Sequence, residues 1–125
     1  MIVSRRAGGV VFYANKVLLL KNDRHEWTLP KGKVLEGQLA ADSAVSRVKN
    51  ETGVDACPLV VAGDTMYEFF SRSRQQQVCN AIVWYVMEAE NPEYIIREDF
   101  VDGGFYKIKD AMDMLSHNKE KALVD

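Results

Sequence analysis

Residues 27–54 read WTLPKGKVLEGQLAADSAVSRVKNETGV. Trp27-Thr28-Leu29 is a short strand-forming run that Pro30 stops, because proline cannot donate to a ladder. Lys31-Gly32-Lys33 then reads as a turn, and Gly37 marks another bend. From about Gln38 to Thr52 the pattern becomes helical. Ala41, Ala44, Val45 and Val48 fall at i, i+3, i+4 and i+7, a narrow apolar stripe suited to docking on a sheet. Gly53 is placed to close that helix in the left-handed conformation.

Outward from this segment the chain is strand-rich. Ala7 to Tyr13 and Val17 to Lys21 are β-branched and aromatic runs separated by Ala14-Asn15-Lys16, which reads as a hairpin with asparagine in the turn. Beyond Gly53, Leu59 to Phe70 and Gln76 to Met87 read as two long strands joined through Ser71–Gln75. A loose acidic segment follows from Glu88 to Asp102. Gly103 to Ile108 reads as a last strand, and Lys109 to Leu115 as a second helix with Ala111, Met112 and Leu115 facing inward. The order of strands, helix, strands and helix implies an α/β domain, a mixed sheet flanked by helices.

The chain has 125 residues, 47% apolar and 27% charged, which suits one domain over 1–125 with its own core. Sixteen basic residues against eighteen acidic ones leave a net charge of −2. No strong field is available for nucleic acid or an anionic membrane, so neither is expected as a partner. The apolar runs are too short for a membrane span, the N-terminus lacks a secretory pattern, and a cytoplasmic location is expected. Cys57 and Cys79 form no CxxC pair and read as small apolar fillers. His25 reads as a solvent-facing loop residue, and Trp84 and Tyr85 as core and sheet surface.

Laid on Gly32, this sequence resembles the Nudix hydrolases, whose box reads G-x5-E-x7-R-E-U-x-E-E-x-G-U with U a bulky aliphatic. Gly32, Val48, Glu51, Gly53 and Val54 match, five of nine specified positions. Gln38, Ser46, Arg47 and Asn50 stand where the family has Glu, Arg, Glu and Glu. The resemblance extends to Ala7-Gly8-Gly9-Val10-Val11 and to the closing strand and helix. It implies the Nudix α/β/α sandwich, a mixed sheet between helices 38–53 and 109–117. It also implies hydrolysis of a nucleoside diphosphate linked to another group, of the dinucleoside-polyphosphate or ADP-ribose kind, with Mg²⁺ or Mn²⁺ as cofactor.

The chemistry behind the box makes its departures matter. Divalent ions neutralise phosphate oxygens and activate the attacking water, and Mg²⁺ needs several oxygen ligands. Residues three and four apart share a helix face, so Ser43, Arg47, Asn50 and Glu51 are expected together. Glu51 is the one surviving carboxylate and the expected metal ligand. Asn50 can coordinate through its carbonyl, and Arg47 adds a fixed positive charge. Three roles stay open for Arg47: an i,i+4 ion pair with Glu51, a guanidinium that binds phosphate in place of the cation, or a neighbour to a metal site completed by Glu36, Asp42, Glu98 or Asp102. The resemblance further implies phosphate contacts from Arg5, Lys31 and Gly32, and base stacking on Tyr67 or Phe69. Arg6 and Lys33 read as surface charge, and Asn80 stands where the family often has a lysine. Against the hydrolase stands a second expectation, a non-catalytic nucleotide-binding or sensing module built on Arg47. The oligomeric state is open.

Overall fold

A computed structural model describes residues 1–97 and 99–125. The first hairpin joins β1 (Ile2–Tyr13) to β2 (Lys16–Asn22). Ala14 and Asn15 take φ of 47° and 65°, the left-handed pair whose twist matches a two-residue hairpin. Next come β3 (Trp27–Thr28), β4 (Lys31–Lys33), α1 (Ala40–Thr52), β5 (Ala56–Ser71), β6 (Gln76–Ala89), β7 (Phe100–Lys107), α2 (Ile108–Met114) and α3 (Asn118–Val124).

The strands form one mixed sheet in the order β3-β2-β1-β6-β5, with β4 pairing to β1 and β7 to β2. β1 and β6 run parallel, Ile2 opposite Val78 through Phe12 opposite Glu88, and the other pairs are antiparallel. Alternation along the strands splits the core between two faces. Ala7, Val11, Leu18 and Met87 pack with Ala44 and Val48 of α1. Val10, Val17, Leu19, Ile82 and Trp84 pack with Ala111 of α2, Leu115 and Val124 of α3. Helices therefore cover both faces, the sandwich expected from the sequence.

The expected turn at Lys31-Gly32-Lys33 is instead β4, with Arg6, Ala7 and Gly8 opposite Lys33, Gly32 and Lys31. Gly8 makes this pairing possible. A Cβ there would lie 2.8 Å from the Pro30 carbonyl oxygen and 2.5 Å from the Trp84 ring, and Gly9 N–H donates to that carbonyl at 3.0 Å. Helix α1 begins at Ala40, two residues later than expected, and Gly53 ends it at φ 72° with its N–H donating to Lys49 O. Its buried residues are Ser43, Ala44, Val48 and Thr52, while Ala41 and Val45 are half-covered. Two polar residues can sit on the inner face because each is satisfied locally. Ser43 donates to Gln38 Oε1 at 2.6 Å and Thr52 to Val48 O at 2.6 Å. Strand β7 starts three residues before the expected Gly103, and the second helix is interrupted at Leu115, with α3 following as a separate helix of about two turns. Cys79 is buried, but Cys57 is exposed and fills no core. No helix is long and apolar enough to cross a membrane.

Candidate functional site

Arg47 lies directly over β4. A Cβ on Gly32 would fall on its guanidinium, so glycine at this position leaves the space that the arginine occupies. Arg47 Nε donates to the Lys31 carbonyl at 3.2 Å and lies 3.3 Å from Glu51 Oε1. A single N–H can serve only one acceptor well, and here the carbonyl takes it. Glu51 Oε1 consequently stays without a hydrogen-bond partner among the described residues, although its side chain is only 13% exposed. Burial raises the Glu51 pKa from 4.5 to about 7, with Arg47 and Lys31 pulling it back and Asp99 pushing it further up. Asp99 belongs to the loop before β7, the region from which a completing acid was expected. Asp102 instead turns its carboxylate onto Gly103 N–H at 2.8 Å, and Glu98 lies outside the described residues.

The structure divides the expected site residues between the two sheet faces. By register Arg5, Ala7 and Gly32 share the α1 face, so Arg5, Gly32, Arg47 and Glu51 lie on one side. Asn50 joins Arg47, Ser46 and Lys33 around a shallow depression of about 240 Å³ on that side. Lys31, one residue from Gly32, points to the opposite face. Its ammonium is 3.5 Å from Glu120 and 5.7 Å from the centre of the Trp84 ring. There it borders a cleft of about 610 Å³ walled by Thr28, Thr65, Tyr67, Ile82 and Trp84 and flanked by His117, Lys119 and Glu120. Tyr67 is therefore at the larger cavity. Phe69 is its neighbour along β5, the rings 6.2 Å apart and tilted by 31°, but it lies beyond the cleft lining. Ser43 is buried on α1's packing face, yet it still borders the depression with Arg47 and Asn50, as expected. His25 faces solvent and Trp84 is core, as read from the sequence.

Glu120 had no sequence signal. It is buried, accepts Leu29 N–H at 2.7 Å and faces Lys31, so it both anchors α3 and charges the cleft wall. Lys119 donates to the Met66 carbonyl on β5, and Ser116 exchanges two hydrogen bonds with the Trp27 backbone. The segment from Ser116 to Lys119 thus ties β3 to β5 beside the cleft.

Among the described residues, the unpartnered Glu51 oxygen is the feature of this site that a cation would satisfy. The rest of the donor set does not suit one. Among the described residues no three His, Cys, Asp or Glu side chains come together, and the charges acting on Glu51 are two cations, Arg47 and Lys31, with one acid, Asp99. Among the described residues, a resident Mg²⁺ with several protein oxygens does not fit this arrangement.

The model of the NUDIX domain matches residues 3–124. The chain belongs to the Nudix family. Its fold is similar to that of a NUDIX hydrolase from Nitrosomonas europaea, at 13% identity and a TM-score of 0.77, covering 99% of this chain and 69% of that one. It is also similar to a C. elegans Ap4A hydrolase in a binary complex, at 17% identity, TM-score 0.75 and coverage of 97% and 92%. An ADP-ribose pyrophosphatase from Streptococcus suis matches at 19% identity, TM-score 0.70 and coverage of 97% and 88%. These likenesses carry the Nudix fold. In this Nudix domain the box helix presents Arg47 and Glu51 rather than a row of acids.

Proposed function

We propose that this Nudix domain binds a nucleoside diphosphate linked to a further group, of the dinucleoside-polyphosphate or ADP-ribose type. Arg47 takes phosphate on the α1 side of β4, Lys31 supplies positive charge at the cleft, and the 610 Å³ cleft takes a nucleoside. The observation that carries this reading is the Arg47 guanidinium, fixed over Gly32 by the Lys31 carbonyl while 48% of its side chain remains exposed. A guanidinium fork pairs with phosphate oxygens without a metal, and a neighbouring lysine adds a second point charge. Arg5, on the same sheet face as Gly32, extends the positive edge. The fold likeness to proteins named for Ap4A and ADP-ribose supports the choice of ligand class.

One observation favours hydrolysis as a second reading. Burial raises the Glu51 pKa to about 7, the range of an efficient general base, and one of its oxygens has no hydrogen-bond partner among the described residues. The two readings separate on one experiment, calorimetric titration of ADP-ribose and Ap4A with and without chelator, beside an assay of phosphate release in Mg²⁺ and Mn²⁺. The binding reading expects affinity that chelation leaves intact and that Arg47→Glu lowers at least tenfold. Affinity lost on chelation, with metal-dependent release that Glu51→Gln abolishes, replaces it with the hydrolase. Unchanged affinity in Arg47→Glu removes the guanidinium role.

A further inference from the structure

Three buried side-chain polar atoms have no hydrogen-bond partner among the described residues: Glu51 Oε1, Arg6 Nε and Asn80 Oδ1. Such orphans are uncommon, since each gives up its bonds to water without replacement. Glu51 belongs to the site on α1. The other two lie together elsewhere. Ser4 pairs with Asn80 and Arg6 with Ile82 across the parallel β1–β6 ladder, so Arg6 and Asn80 sit on adjacent strands, offset by one pleat on one face. Ile82 and Trp84 mark that face as the cleft face. Asn80 is 3% exposed, and its Nδ2 donates to the Tyr67 hydroxyl at 2.6 Å. Tyr67 lines the cleft and is 47% exposed.

The bond to Tyr67 has a consequence for the free end of the amide. With one Nδ2 N–H held by Tyr67, the carbonyl oxygen is the buried end of the amide left without a partner among the described residues. Arg6 Nε offers a donor beside it. A lysine at this position would offer donors and charge but no acceptor. An acceptor and a donor one pleat apart, behind the Tyr67 wall of a nucleoside-sized cleft, are complementary to a heterocycle whose edge presents an amine beside a ring nitrogen.

We propose that Asn80, held by Tyr67 and assisted by Arg6, selects an amino-substituted base over its oxo-substituted counterpart. This rests on the nucleotide-binding reading above and adds which nucleotides the cleft accepts. Both orphan atoms are shut from water in the unliganded chain, so a base entering along the Tyr67 wall must move a neighbouring side chain to meet them. The gain is specificity: a 6-amino purine satisfies both orphans, while a 6-oxo purine sets one carbonyl oxygen against another.

ADP and IDP differ in this one substituent and test the assignment directly. Titrated by calorimetry against the same protein, ADP is expected to bind about tenfold more tightly, the equivalent of one net hydrogen bond. Asn80→Leu should bring the ratio close to one by weakening ADP alone. Tyr67→Phe, which releases the amide to turn, should reduce it as well. The ratio of two ligands on one variant is insensitive to a general loss of stability, and a purely structural Asn80 would move both affinities together. IDP binding as tightly as ADP, or an Asn80→Leu variant that keeps the full preference, overturns the proposal and leaves the nucleotide reading standing. Binding of neither nucleotide overturns the nucleotide reading, and this inference falls with it.

Discussion

Glu51 is the residue on which the behaviour of this site turns. Its carboxyl is held near 7 by burial, whereas in an unfolded chain it titrates near 4.5. Between those values the native state binds more protons than the unfolded state, so folding stability falls as pH rises from about 4.5 to about 7 and levels off above. Glu51→Gln removes the titration. Melting temperatures collected across this window should decline in the natural chain and stay flatter in the variant. Equal slopes in the two proteins would place the pKa of Glu51 in its ordinary range. Arg47 shows how little a residue's identity says about its role. Its i,i+4 pairing with Glu51 was legible from spacing alone. Its hydrogen bond to the Lys31 carbonyl was not, because that bond depends on β4 lying beneath the helix.

At the scale of elements, α1 is where sequence and structure agree most closely, and its C-terminus carries a sharp test. Gly53 sits at φ 72°, ψ 1°, and a Cβ there meets nothing closer than 3.8 Å. Space is therefore not the constraint, and the cost of Gly53→Ala is the left-handed backbone itself, about 1 kcal/mol. Thermal denaturation should show a drop of about 4 °C for a chain of this size, and an unchanged midpoint would mean the helix terminus relaxes freely. β4 shows the opposite case. Three residues with two lysines and a glycine carry no strand signal of their own. They become a strand because Gly8 admits the Pro30 carbonyl and β1 offers an open edge. The buried face of α1 is likewise displaced from its apolar stripe, since local hydrogen bonds make Ser43 and Thr52 admissible inside.

For the molecule as a whole, the C-terminal segment joins the two ends of the cleft. Ser116 binds the Trp27 backbone, Glu120 the Leu29 N–H and the Lys31 ammonium, and Lys119 the Met66 carbonyl. Glu120→Ala would leave Leu29 N–H buried without an acceptor and Lys31 without its counter-charge. A loss of about 2 kcal/mol in urea-induced unfolding is expected, together with faster hydrogen exchange in α3 and at Leu29. Exchange that stays unchanged in α3 would show that the helix is held by Leu123 and Val124 alone. Lys31 is the point where this framework meets the proposed phosphate site, since its carbonyl faces Arg47 and its ammonium faces Glu120.

The sequence by itself determined the hairpin, the long helix with its glycine stop and the two long strands. Those features rest on periods, turn residues and spacing, which are local and survive in a one-dimensional reading. Tertiary structure alone decided which site residues meet. A strand sends neighbours to opposite faces, so Lys31 and Gly32, adjacent in the chain, serve different sides of the sheet. It also decided the place of Glu120 and α3. That seven-residue stretch is too short and polar to form a helix on its own, and it exists through hydrogen bonds to residues some ninety positions earlier. The pairing of Asn80 with Tyr67 belongs to the same class, because it needs the β5–β6 register to bring the amide and the hydroxyl together.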